Sequence, residues 1–187
     1  AAMRELTEWS KICDEFYIWD YAINFAYMLS PWPNFDTILS NTATLAEIGA
    51  VGIISQANYQ GNNNSAEFEA LRCYLIAKCL EDPYMTEADY YKHMDEFLKG
   101  YYGEGWQNIR RFFDRLHRSV GDHHFGIYYE DPLDLFVDPD TEGDNLCKAE
   151  AFLCKGRADF AAAKQAANVD QLARIQRAEV QLDVYEW

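Results

Sequence analysis

Asp20 and Asn24 sit inside a run of eight aromatic side chains: Phe16, Tyr17, Trp19, Tyr21, Phe25, Tyr27, Trp32 and Phe35. A hydrophobic core accounts for the rings but not for the carboxylate. A sugar site accounts for both, because ring faces stack on the C–H face of a pyranose, amides and phenols bond its hydroxyls, and a carboxylate stabilises positive charge or accepts a proton. Gln56, Asn58 and Tyr59 form a second cluster of the same kinds of group. Trp19, Tyr21, Asn24, Trp32, Gln56, Asn58 and Tyr59 are therefore the candidate substrate contacts. Arg72 joins them if it binds a carboxylate-bearing sugar at the rim; its other reading is a buried cation paired with an acid.

Glycoside hydrolysis needs two carboxyl groups, about 5–5.5 Å apart in retaining enzymes and about 6.5–9.5 Å apart in inverting ones. Asp20 and Glu67 are the two candidates in this chain. Each has a structural alternative. Asp20 can cap a turn or bond a tyrosine hydroxyl, and Glu67 stands where a helix begins, a place that favours negative charge. On the second reading the general acid comes from an earlier strand, and the segment alone is expected to be inactive.

Other patterns carry less chemistry. "DPDTEGD" places Asp138, Asp140, Glu142 and Gly143 at the first, third, fifth and sixth positions of a calcium loop, but the twelfth position is Ala149 instead of a bidentate Glu. A solvated acidic turn is the reading of that stretch. His117, Asp122, His123 and His124 cluster near a helix end without metal-ligand spacing. Neither a G-x-S-x-G elbow nor a P-loop occurs, so no cofactor and no metal is expected. Cysteines at 13, 73, 79, 147 and 154 are odd in number and form no C-x-x-C pair, which encodes neither a disulfide framework nor a zinc knuckle.

The elements that must position these groups read as strand, helix, strand, then helices. "EFYIWDY" (15–21) and "AVGIISQ" (50–56) are aromatic or continuous apolar runs of the kind found in strands. Between them an amphipathic stretch runs from about Asp36 to Ile48 and stops at Gly49. Ile38, Leu45 and Ile48 share one face, with Asn41 and Thr42 turned away. A right-handed crossover then makes the two strands parallel. Helical periodicity follows, with Phe68, Leu71 and Leu75 on one stripe and Tyr90, Met94, Phe97 and Tyr101 on the next, behind a capping box from Thr86 to Asp89. Ile109, Phe112, Phe113, Leu116 and Val120 mark a third. A helical hairpin broken near "ANVD" ends the chain.

Two parallel strands alone leave ladder groups unpaired on both edges. The expected fold is therefore α/β: the last two strands of a (β/α)8 barrel (1–64), followed by a mostly α-helical region (65–187). The missing strands are expected from upstream in the same protein or from another chain, and the abrupt end at "VYEW" suggests a fragment. In such a barrel both polar clusters follow strand ends and share the C-terminal rim.

"WDYAINF" (19–25), "PWPN" (31–34), "EIGAVGIISQANYQG" (47–61), "EFEALRCYLIAKCLEDP" (67–83) and "FLKGYYG" (97–103), in that order, resemble the landmarks of a bacterial family, domain of unknown function 4838. "HFGIYY" (124–129) and "RIQRAEVQLDVYEW" (174–187) resemble its helical tail. Leu80-Glu81 and Ala66 depart from the pattern. The resemblance implies a glycoside-hydrolase-like protein with a barrel similar to those of α-glucuronidases and hexosaminidases, and a carbohydrate as partner. It implies no particular sugar. A non-catalytic helical module that binds carbohydrate or another protein is the alternative.

Composition narrows the classes further. A length of 187 residues suits one domain. With 16 basic against 31 acidic residues the net charge is -15, which repels a phosphate backbone or an anionic membrane, so neither nucleic acid nor membrane is expected as a partner. No signal peptide is visible at "AAMREL", and localisation cannot be read.

Overall fold

A computed structural model describes residues 2–13, 15–57, 68–121, 123 and 136–184. The fold is mixed α/β and mostly helical, with one two-stranded parallel sheet. Helix α1 (Ala2–Trp9) leads into β1 (Phe16–Tyr21), α2 (Phe35–Glu47) and β2 (Ala50–Gln56). Then come α3 (Glu69–Glu81), α4 (Glu87–Tyr102), a 3-10 turn at Gly103–Gly105, α5 (Trp106–Val120), α6 (Asn145–Gln165) and α7 (Val169–Asp183). Among the described residues no helix is long and apolar enough to cross a membrane.

Local chemistry sets the boundaries. Gly49 ends α2 at φ +95°, a conformation side chains resist. Thr86 caps α4 by accepting from the Asp89 amide at 3.1 Å, and Asn168 opens α7 in a reciprocal capping box with Gln171. The α4–α5 turn uses Gly105 for a different reason: a Cβ there would stand 2.6 Å from the Ala163 carbonyl oxygen, so only glycine lets α6 pass so close.

One apolar core runs from Phe35 and Ile38 of α2 through Leu71, Leu75, Met94, Phe112 and Phe113 to Phe160, Ile175 and Leu182. It crosses the expected boundary at 64/65. In α4 the deepest residues are Tyr90, Met94, Leu98 and Tyr102, whereas Phe97 and Tyr101 pack at its margin. Phe68 precedes α3 with φ 45°, rare for a bulky residue, and its buried ring lies 5.7 Å from Phe113. No residue of β1 or β2 belongs to this core.

Most of the acidic turn at 138–144 is exposed, as a solvated turn should be, but its first residue is not. Asp138 is wholly buried and its Oδ1 accepts from Lys155 at 2.7 Å, from the Thr141 hydroxyl at 2.9 Å and from the Asp140 amide at 3.0 Å. Arg115 lies 3.5 Å from its other oxygen and pairs with buried Asp159 at 2.8 Å, while Arg118 grips Asp140 with both nitrogens. The positions that a cation would take are held by side-chain cations. The sequence missed this because the partners come from α5 and α6, far along the chain. Burial pushes the Asp138 carboxyl up, but the bonds from Lys155, Thr141 and the Asp140 amide outweigh it and hold the group below its ordinary 3.8.

Asp138→Asn is expected to cost about 3 kcal/mol at pH 7 in denaturant unfolding, since Arg115 stays buried with one acid fewer. Because folding lowers this carboxyl's affinity for protons, its contribution is complete above the unfolded value and is lost as pH falls through the lower folded value. The gap between wild type and variant should therefore close below about pH 4. A gap unchanged down to about pH 2 would contradict the assignment.

Candidate functional site

β1 and β2 pair in parallel with Tyr17 opposite Gly52, Trp19 opposite Ile54, Asp20 opposite Ser55 and Tyr21 opposite Gln56. The ladder continues one step further, with the Ala22 amide donating to the Gln56 carbonyl at 3.1 Å. Both strands thus end together, as the sequence pattern required. Side chains alternate across a strand, so Tyr17, Trp19 and Tyr21 share one face with Gly52, Ile54 and Gln56.

That face is uncovered among the described residues. Tyr17 is 75% exposed, Trp19 64% and Ile54 58%. The Tyr17 ring lies over Gly52, where a Cβ would stand 2.6 Å from it. Trp19 Nε1 donates to Gln56 Oε1 at 3.0 Å, which fixes the indole and turns the amide so that its NH2 group has no partner among the described residues. Phe25 meets Tyr21 edge-on at 5.3 Å. The result is an aromatic platform with one oriented amide donor at its C-terminal end. Tyr17 and Ile54 were not among the sequence candidates, although strict alternation with Trp19 and Tyr21 was a signal that could have included them.

Asp20 lies on the other face. It lines a cavity of about 70 Å³ with Ser55 and Ile53, the α2 residues Thr37, Ile38, Asn41, Thr42 and Leu45, and Ile76 and Leu80 of α3. Asn41 and Thr42 border this cavity, yet Asn41 stays exposed, in keeping with the polar side expected of α2. Desolvation raises the Asp20 carboxyl above its usual range, and a backbone hydrogen bond at Tyr21 opposes the rise. A space this small holds water, not a sugar ring; ligand pockets run from roughly 300 to 1,000 Å³. Tyr21 borders the same cavity as Asp20, but the structure does not bring Asp20 together with Trp19 and Gln56.

The remaining candidates divide into enclosed residues and residues outside the described structure. Asn24 is buried, and its Oδ1 accepts from the amides of Ala26 at 2.9 Å and Tyr27 at 3.2 Å, a turn-forming role. Trp32 is buried with its carbonyl accepting from Arg72 Nη2 at 3.0 Å. Arg72 has no exposed surface; its Nη1 donates to Asn34 Oδ1 and its guanidinium stands 4.1 Å over the Phe35 ring. A substrate would reach Trp32 or Arg72 only if the residues covering them moved. Asn58, Tyr59 and Glu67 lie outside the described residues, as do Asp122 and His124. Among the described residues no group of three or more His, Cys, Asp or Glu could hold a metal ion.

Asn34 is the residue that sequence reasoning overlooked. It stands at the N-cap of α2 yet makes no side-chain cap bond there. Its Nδ2 instead donates to the Ala22 carbonyl at 3.2 Å while its Oδ1 takes Arg72, which ties the end of β1 to α3.

Residues 1–114 match the family model described as Domain of unknown function (DUF4838). The chain belongs to that family. The match covers more than half of the sequence and includes the whole platform, ending inside α5. The two later stretches that resemble the family's tail, 124–129 and 174–187, lie beyond it. No curated protein and no solved structure matches.

Arg72→Lys is expected to destabilise this DUF4838 chain by about 2 kcal/mol or more in chemical denaturation, because an ammonium cannot bond Trp32 and Asn34 together while lying flat on Phe35. Equal stability of the two proteins would show that the guanidinium's shape is not what the loop requires.

Proposed function

We propose that the chain supplies the last two parallel strands of a glycoside-hydrolase-like barrel and that its aromatic sheet face is part of a carbohydrate site. The observation that carries this reading is the uncovered face itself. Parallel sheets are ordinarily buried on both sides, and here one side bears Tyr17, Trp19, Tyr21 and Gln56 in place of a continuous aliphatic surface. Trp19 and Tyr21 stack on sugar C–H faces, and the Gln56 amide donates to a hydroxyl or ring oxygen. Further strands, from the same parent protein or another chain, pair with the open edges and enclose the platform in the barrel lumen.

On this reading the reacting carboxylates come mainly from those other strands. Asp20 sits on the opposite strand face, where it borders the small cavity, keeps exposed surface and has a carboxyl that desolvation makes more basic. A second reading draws on the same exposed surface: Tyr17, Trp19 and Ile54 are apolar enough to seat a protein partner, which would make the chain an interaction module.

The two are separated by a glycan array and titration calorimetry on the full-length protein. Trp19→Ala should weaken binding of the best oligosaccharide about tenfold, the equivalent of one lost stacking contact, with little change in melting temperature. No sugar binding by the wild type, or a variant that loses stability but not affinity, would assign the face to protein packing.

A further inference from the structure

His117, in the last turn of α5, is a largely enclosed histidine that joins α5 to the start of α2. Its ring packs 4.2 Å from Phe113 and 5.8 Å from Phe35. Nδ1 lies 2.9 Å from the Phe113 carbonyl, which can only accept, so Nδ1 carries a hydrogen in every protonation state. A second proton must therefore go to Nε2. That atom is buried, 3.3 Å from Asp36 Oδ1, without the alignment of a hydrogen bond.

We propose that His117 is an acid-opened latch between α2 and α5: a proton on Nε2 drives the ring out of its aromatic slot and releases the first turn of α2. A neutral imidazole suits the tilted Phe113 ring and the edge contact with Phe35, and leaves a lone pair toward Asp36. An imidazolium in the same place has lost its hydration and gains little in exchange. Asp36 attracts it, but that carboxylate is half exposed and screened. Helix ends add some favour, since a cation closes α5 and an anion opens α2.

The other groups around the ring are accounted for. Arg72 of α3 opposes a second positive charge, and Asp114 of α5 favours one. Arg110 is engaged by Asp95 and Asp114, Arg118 by Asp140, and Tyr91 of α4 lines the same space without charge near neutrality. Burial is the largest influence and holds the imidazole below its ordinary 6.5. A folded value below the unfolded one means that stability falls as pH drops beneath about 6.5, the sign a latch opened by acid requires. A cleft of about 280 Å³ bordered by Asp36, Arg110, Asp114 and His117 gives the ring a route to water.

The latch matters because of what α2 carries. Phe35, next to Asp36, supports Arg72, and its carbonyl accepts from the Tyr90 hydroxyl. Releasing that turn loosens the connection between the sheet and the helices. The proposal stands whether or not the sheet face binds sugar.

Nitrogen-15 NMR of the full chain between pH 5 and 8 tests it. Expected are the Nδ1–H tautomer at pH 7.5, a His117 midpoint below 6.5 that falls further in Asp36→Asn, and amide shifts at Ile38 and Leu39 that follow the same midpoint. His117→Phe, which keeps the ring stack, should flatten those α2 shifts between pH 5 and 7. An Nε2–H tautomer at neutral pH, a midpoint at or above 6.5, a midpoint unmoved by Asp36→Asn, or α2 shifts that persist in His117→Phe would each overturn the latch. The tautomer and midpoint come from the unaltered chain, so the test survives a variant that fails to fold.

Discussion

Arg72 has no surface in water, and a guanidinium is tolerated there only if its donors find acceptors and its plane finds a ring. The Trp32 carbonyl, the Asn34 amide oxygen and the Phe35 ring meet those needs from one short stretch of chain. Pro31 and Pro33 stiffen that stretch by fixing two φ angles, which reduces the entropy lost when it closes around the cation. Asn34 then passes the constraint to Ala22 at the end of β1. One buried cation thus joins α3, the start of α2 and the strand that bears the aromatic platform.

This connection is needed because the sheet adds nothing to the central core. Two strands expose edges and one full face, and isolated parallel pairing is weak. Its other face rests on α2 and α3 across the Asp20 cavity, lined as much by hydroxyls and amides as by aliphatic carbons. The sheet is therefore positioned by the helical body. Large aromatic rings on its other side, with Trp19 fixed by Gln56, stay exposed among the described residues.

Against a net charge of -15, a group of cations gathers around the buried acids Asp138 and Asp159. Asp138 and Asp159 share Arg115, and Lys155, Arg111 and Arg118 complete the set, which locks the turn before α6 onto α5. Acids at the surface also find cations, as Asp95 and Asp114 do in Arg110 and Glu81 does in Lys78. Local pKa directions follow from the same geometry. Asp138 is lowered because donors surround it, Asp20 is raised because burial is not matched by donors, and His117 is lowered because aromatic rings replace its water.

Periodicity and breakers in the sequence determined the local elements. Apolar runs bounded by Gly49 and the two prolines marked both strands, Thr86 marked a helix start, residues 167–170 marked the break in the last hairpin, and strand-helix-strand order dictated a parallel pair, all of which depend on forces acting within a few residues. Tertiary structure alone decided which face each candidate took and which of them were enclosed. Trp19 and Asp20 are neighbours in sequence, yet strand alternation sends one outward and the other toward α2. Asn24, Trp32 and Arg72 read as polar or aromatic site residues, but long-range hydrogen bonds and packing drew them inside. The ion-pair partners of Asp138 and His117 lie on elements between 17 and 81 residues away, so their burial and charge became visible only once the helices were packed.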